Sequence, residues 1–409
     1  MKIVHVNFSD SIGGAAIAVK RIHNTLLENN VESKLVVSEQ NDHDSNIFSI
    51  NKTSEIIKNT IKSSISRQLK YIFKTENKNT HSLNIISSNN LDLINSLKPD
   101  YVNLHWIGNE TISISDIKKI KSKIVWTLHD MWPFCGAEHY TDDSRYIDGY
   151  LKNNRPIYEK GVDINKFIWK KKIKYFNNIG KIICNSKWMY DCAKKSYLFK
   201  EKKISQIPLM LDAKIWKPFE KEYARKFFNI ALKSKVIIFG ADNYLKNKRK
   251  GFDLFKKAIS EVGKNFQEEI VIMLFGVTEL NLEEIENELN NIKIINIGKI
   301  SDENLLRLVY SCANVVVVPS LTESFGLVGQ ESIHCGVPCV VFESTGLTSI
   351  INHKQNGYVA KYNSTEDLST GILWCIKNFE KKNDDIYRDA LKTFDSKKII
   401  QKYLAFLET

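Results

Sequence analysis

VVVVPSLTESFGLVGQESIHCGVPCVVF, residues 315–342, decides the reading of this sequence. Val315 to Val318 are four β-branched residues in a row, the pattern of a strand buried on both faces. Pro319 ends it, because proline has no N–H to give to a ladder. A short polar loop carries Glu323, and a helix is expected from about Phe325 or Gly326. CGVP then makes a turn and VPCVVF a second apolar strand. Glu331 lies eight residues beyond Glu323. On a helix that spacing is an offset of about 80°, so both carboxylates could face one cleft. Gly326 leaves room beside the free N–H groups of a first helical turn, which attract anions. Two isolated glutamates would read more simply as a helix cap and a solvated side chain. Strand, Pro-Ser, Glu-x7-Glu, Phe-Gly and Cys-Gly-x-Pro together point instead to a ligand site.

The same strand–helix alternation runs outward in both directions. Before the segment come KVIIFG (235–240), GFDLFKKAIS (251–260), EIVIMLFG (269–276), LEEIENEL (282–289), IKIINIG (292–298) and ENLLRLVYS (303–311). Near the start, KIVHVNF (2–8) is strand-like and SDSIGGA a turn holding Gly13 and Gly14. A helical pattern and a second strand, KLVVS (34–38), follow. YVNLHW (101–106), KIVWTLH (123–129) and KIICNS (181–186) are further strands, with a long loop expected over 133–165. Strands alternating with helices imply parallel, doubly wound sheets. A change of domain falls near Pro208 to Pro218. The expected division is 1–212, 213–390, and a C-terminal helix over 391–409 that packs back toward the first domain. Ligands of such domains bind at the C-terminal ends of the strands, in a cleft. The run DALKTFDSKKIIQKYLAFLE, 389–408, has the period of one amphipathic helix.

Composition narrows the class. Apolar residues at 43% and charged residues at 26% of 409 fit a soluble globular protein and exclude a disordered or collagenous chain. No run of about 18 apolar residues is present, so no bilayer-spanning helix is expected. MKIVHVNF is too polar for a secretory leader, and seven scattered cysteines suit a reducing compartment, so a cytoplasmic location is expected. The net charge of +12 favours anionic partners: nucleic acid, anionic lipid or phosphorylated small molecules. A solubility charge in a Lys-rich sequence explains it equally well. No arginine-rich helix or aromatic ribonucleoprotein motif supports nucleic acid. Residues Arg67 to Lys74 could form an amphipathic helix touching the inner face of a membrane, or an ordinary surface helix.

PSLTESFGLVGQESIHCGVPCVVF resembles the Glu-x7-Glu signature of family 4 retaining glycosyltransferases. The resemblance extends to the Gly13–Gly14 turn, TLHD (127–130), SKWMYDCA (186–193), IPLMLDAKIWKP (207–218), RKGF (249–252) and the segment before 315. NLHW with TLHDMWPFCGAEHY is similar to transferases of colanic-acid and other surface-polysaccharide pathways. The resemblance implies the GT-B fold, two Rossmann-like domains facing a central cleft. It implies transfer from a nucleotide diphosphate sugar to a glycan hydroxyl, with an undecaprenyl-linked acceptor as one form. It implies no cofactor and no metal. Glu323 and His129 would act beside the transferred sugar, together with the Phe325, Gly326 and Leu327 amides. Arg249 and Lys250 would meet the diphosphate, and Glu331 the ribose. Gly298 and Ile300 would lie near the base, and Gly13 and Gly14 near a phosphate or the sugar. Where many relatives carry an arginine after the glycine ending the first strand of this domain, this chain has Ala241, so Arg249 would have to substitute. Two rivals remain: a nucleotide-sugar epimerase on the same fold, and a non-enzymatic basic binding protein. Asp130 and His105 read as structural, and Cys335 and Cys339 as packing residues. Cys135 and His139 have a zinc-like spacing but lack the further ligands a closed site needs.

Overall fold

The computed structural model describes residues 1–50, 64, 68, 73–266, 268–278, 291–379 and 383–409. The helix expected over 282–289 lies outside them, as does the basic stretch from Arg67 apart from 68 and its last two residues. The chain divides into two compact units, Met1–Met210 with Lys397–Thr409, and Leu211–Ser396. No described helix is long and apolar enough to cross a membrane.

The first unit contains β1 (Lys2–Ser9), β2 (Glu32–Glu39), β3 (Ile47–Phe48), β4 (Phe73–Lys74), β5 (Tyr101–Leu104), β6 (Lys123–Leu128), β7 (Lys160–Gly161), β8 (Ile179–Cys184) and β9 (Lys203–Gln206). Seven of them form a parallel sheet in the order β3-β2-β1-β5-β6-β8-β9. β4 and β7 pair separately and antiparallel. Burial on both faces explains the apolar runs in β5 and β6, whose residues 101–104 and 124–128 are all buried. The strand order reverses between β1 and β5, which makes a switch point where a parallel sheet opens a crevice at its C-terminal edge. The helix Gly14–Glu28 starts from that edge of β1 and buries Ala16, Val19, Ile22, His23 and Leu26 at helical spacing.

The second unit contains β10 (Lys235–Gly240), β11 (Ile270–Phe275), β12 (Ile292–Gly298), β13 (Val315–Val318), β14 (Cys339–Phe342) and β15 (Gly357–Ala360). They form a parallel sheet ordered β12-β11-β10-β13-β14-β15, with its switch point between β10 and β13. All six residues of β11 and all four of β13 are buried. The helix Phe252–Gly263 buries Phe252, Phe255, Ala258, Ile259 and Val262 and packs on the helix Thr365–Asn378. Ser364 caps the latter by accepting from the Asp367 amide.

The amphipathic run 389–408 is two helices, Asn383–Thr393 and Ser396–Glu408. The break follows from what each half packs against. Phe394 is buried with its ring 6.3 Å from Phe325 and 5.7 Å from His334, in the second unit. Residues from Lys397 belong to the first unit: Tyr403 accepts a hydrogen bond from Asn103 at 2.8 Å, and the Leu407 carbonyl accepts from the Tyr101 hydroxyl at 2.5 Å.

Candidate active site

Each switch point collects residues singled out in the sequence. In the second unit, β10 leads to a loop ending in the one-turn 3-10 helix Lys248–Lys250, and β13 leads to Pro319–Gly326. Several contacts clamp the two loops. The Leu321 amide donates to the Arg249 carbonyl at 2.8 Å, and the Arg249 guanidinium donates to the Thr322 carbonyl. Lys250 Nζ lies 2.7 Å from Glu323 Oε2, and Arg249 Nη1 lies 3.7 Å from the same oxygen. Gly251 closes the turn at φ 73°, and a Cβ there would sit 1.9 Å from the Pro319 carbonyl oxygen. Only glycine allows the loops to touch at this point.

The electrostatics follow from this pairing. Burial raises the Glu323 carboxyl, but Lys250 and Arg249 outweigh it and hold the group below its ordinary value. Burial likewise lowers the Lys250 ammonium, against the raising effect of Glu323. Two cations against one carboxylate leave a net positive charge, which suits an anion such as a diphosphate.

The helix after the loop runs Leu327–His334 and starts one or two residues later than its pattern suggests. The cause is Gly326, whose φ of 102° is not helical. Phe325 is buried. Leu327 is half-buried at the first turn. Glu331 is buried at 3% exposure, and its Oε2 accepts from the Tyr310 hydroxyl at 2.9 Å. Tyr310 itself packs against Phe275 and Trp216. Gly298 ends β12 at φ 80°, its carbonyl accepting from Gly276 N, and Ile300 follows half-buried. Arg249, Lys250 and Glu323 are thus in direct contact, whereas Glu331 meets Tyr310 and Gly298 ends the edge strand β12. Tyr310 was not singled out by sequence, although it lies in the helix just before β13.

Gly13, Gly14 and His129 belong to the first unit. Gly13 precedes the helix Gly14–Glu28 with φ 84° and ψ 166°, and a Cβ there would meet nothing within 4 Å. Its conformation requires glycine and its surroundings are open. His129 follows β6 directly. Its Nε2 is 2.9 Å from His105 Nδ1, and His105 Nε2 is 2.9 Å from His5 Nδ1. Burial holds all three imidazoles neutral: it lowers His129 to about 4 despite Asp130, and His5 to about 3, and it lowers His105 strongly with help from its neighbours. His105 is therefore the middle of a histidine chain, and His5 was missed by sequence reading.

The zinc-like pair is used otherwise. His139 Nδ1 is 2.5 Å from Asp130 Oδ2 and its Nε2 is 2.8 Å from Ser82 Oγ, so both ring nitrogens are engaged within the protein. Asp130 also accepts from the Trp132 amide at 3.0 Å, a structural part. Cys335 and Cys339 are buried in the second unit. Among the described residues no three His, Cys, Asp or Glu side chains are grouped to hold a metal ion.

Residues 220–392 match the family model described as glycosyl transferases group 1. An uncharacterized glycosyltransferase of Methanocaldococcus jannaschii is 29% identical over 155 residues, which are 37% of this chain and 38% of the relative. N-acetyl-alpha-D-glucosaminyl L-malate synthase of Bacillus anthracis is 24% identical over 49% of this chain and 52% of its own. The chain thus spans about half or less of the length of these curated relatives. Among solved structures, sucrose-phosphate synthase from Thermosynechococcus elongatus superposes with a TM-score of 0.67 at 13% identity, covering 100% of both chains. Anabaena Alr3699/HepE, solved in complex with UDP-glucose, gives 0.67 at 14% identity, covering 100% of this chain and 99% of its own. The two parallel α/β sheets are those of GT-B glycosyltransferase structures.

Proposed function

We propose, for a chain whose residues 220–392 match the family model described as glycosyl transferases group 1, that the protein is a retaining transferase. It moves a sugar from a nucleotide diphosphate sugar to a hydroxyl of a glycan acceptor. The observation that carries the reading is the clamp between the β10 and β13 loops, which sets two cations and one carboxylate at a switch point.

In this reading Lys250 and Arg249 bind the diphosphate and offset the charge it gains as the bond to the sugar breaks. Glu323, kept ionised by the same cations, faces the transferred sugar and opposes the positive charge growing at its anomeric carbon. The anomeric carbon exchanges its bond to the diphosphate oxygen for one to the acceptor oxygen. The acceptor proton passes to the departing phosphate, and the nucleoside diphosphate leaves. Glu331, oriented by Tyr310, holds the ribose; Gly298 and Ile300 border the base; the amides of Phe325, Gly326 and Leu327 hold the sugar. Gly13 and Gly14 are assigned to a phosphate or the sugar, and His129 to the sugar, on the strength of their motifs in the sequence. A lipid-linked surface glycan handled at the inner face of the membrane is the acceptor class that fits the basic character of the chain.

Nucleotide release from a panel of nucleotide sugars, with and without lipid-linked acceptor, tests this. Acceptor-dependent release is expected. Donor conversion without any acceptor would favour an epimerase, and no turnover of any donor would remove the proposal.

A further inference from the structure

His5, His105 and His129 lie on the adjacent parallel strands β1, β5 and β6 or just past their ends. The register pairs His5 with Asn103 and Asn103 with Val125. His105 is therefore two residues further along its strand than His5, and His129 four. Side chains alternate faces with a period of two, so the three imidazoles share one face of the sheet. They descend in steps from its interior to its C-terminal edge. The two 2.9 Å contacts join them into one chain. His5 and His105 are buried, and His129 is the partly exposed end.

Each neutral imidazole carries one N–H, so a chain of three can be protonated in two ways. In one, His129 Nε2 donates to His105 Nδ1, His105 Nε2 donates to His5 Nδ1, and His5 must carry its remaining N–H on Nε2. That atom is buried with no partner among the described residues. Beyond His105, the His23 ring lies edge-on at 6.4 Å, with its own Nδ1 engaged by Ser33 at 2.7 Å. In the other, every donor points outward: His5 Nδ1–H to His105 Nε2, and His105 Nδ1–H to His129 Nε2. The buried His5 Nε2 is then a bare lone pair. An orphaned buried N–H is the rarer and costlier of the two.

We infer that His5 and His105 are positioning residues that lock His129 in its Nδ1–H tautomer, making it a neutral hydrogen-bond donor to a sugar oxygen. The inference rests on the proposed function for the identity of the acceptor oxygen, and on the chain alone for the tautomer. It assigns His129 a definite role: with Nδ1 already protonated and Nε2 taken by His105, it holds the sugar and does not accept the acceptor's proton. That proton then goes to the departing phosphate, as in the transfer step above.

Long-range 1H–15N spectra of the full chain labelled at histidine, near pH 7.5, read the tautomer directly. Each ring is assigned by its loss in His5→Gln, His105→Asn or His129→Gln. Expected is a protonated Nδ1 and a bare Nε2 on His129. In His105→Asn, whose amide can still donate to Nε2, that signature persists and most of the transfer rate is retained. In His105→Phe, which cannot donate, His129 moves toward Nε2–H and the rate falls at least tenfold. A wild-type His129 protonated at Nε2 overturns the inference whatever the variants do. The expected spectrum in a protein that turns over no nucleotide sugar would keep the relay and remove the proposed function, so the two failures are distinguishable.

Discussion

Lys250 Nζ and Glu323 Oε2 are 2.7 Å apart, although 73 residues separate them in sequence. Neither can be changed without removing the closest opposite charge of the other. In Lys250→Ala the carboxylate keeps, as its cationic partner among the described residues, Arg249 at 3.7 Å. Transfer is expected to fall by about 2–4 kcal/mol of transition-state stabilisation, roughly 30- to 1000-fold. The melting temperature should also fall, because a half-buried carboxylate has lost its closest partner. Adding Glu323→Gln to Lys250→Ala removes the stranded charge and should recover part of that stability while leaving transfer low. Steady-state rates within twofold of wild type for Lys250→Ala would remove the diphosphate assignment.

Gly251→Ala tests the clamp without touching a charge. The substitution meets a left-handed backbone and a carbonyl oxygen 1.9 Å away, neither of which a Cβ tolerates. A loss of at least about 3 kcal/mol is expected, because strain and displacement of the Pro319 loop add. Any folded fraction should bind donor weakly, since Glu323 shifts with that loop. Denaturant melts give the stability and donor titration the binding. A variant melting like the wild type would show that the two loops are not held together here.

The second unit was legible because its evidence is local. Four valines, Pro319 and the two flanking turns lie within 28 residues, and each acts on its immediate neighbours. The clamp was not legible as a contact. Arg249 and Lys250 read as cations and Glu323 as a carboxylate, but their meeting depends on β10 lying beside β13, a pairing set by the whole sheet. The histidine chain was hidden for the same reason, since His5 and His105 are 100 residues apart. Its one local trace is the placement of His105 and His129 at the ends of two apolar strands. The run 389–408 misled because its apolar period continues across Phe394, whereas the two helices use that period against different units.

The histidine chain also predicts how stability depends on pH. His129 is lowered to about 4 and His5 to about 3, from an ordinary value of 6.5, and His105 is lowered strongly. Between those values and 6.5 the unfolded chain binds protons that the folded chain refuses. Stability therefore rises with pH through this window and is lost on acidification. Each of the three histidines contributes a slope of up to about 1.4 kcal/mol per pH unit below pH 6.5. Thermal melts from pH 7.5 to 5 should show the first unit weakening, and His5→Gln should flatten the trend. A melting temperature constant over that range would contradict the burial of the chain.

The two glutamates should fail differently. Glu331 is buried, bonded to Tyr310 at 2.9 Å, and proposed to hold the ribose, away from the reacting carbon. Its interaction with donor is shared by ground state and transition state. Glu331→Gln should then raise the donor KM more than it lowers kcat, and Tyr310→Phe should do the same more mildly, because it leaves the carboxylate in place but poorly oriented. Glu323 stands beside Lys250 and Arg249, and under the proposed function positive charge develops on the sugar there as negative charge moves onto the diphosphate. A carboxylate there acts mainly in the transition state, so Glu323→Gln, which keeps the shape and deletes the charge, should chiefly lower kcat. The distinction holds when donor dissociates faster than it reacts, which a single-turnover experiment establishes. Steady-state kinetics with varied donor on variants shown to fold by thermal melting decide the matter. A Glu323→Gln enzyme altered only in KM, beside a Glu331→Gln enzyme altered only in kcat, would mean the two roles are exchanged. Neutral behaviour of both would place the donor site elsewhere.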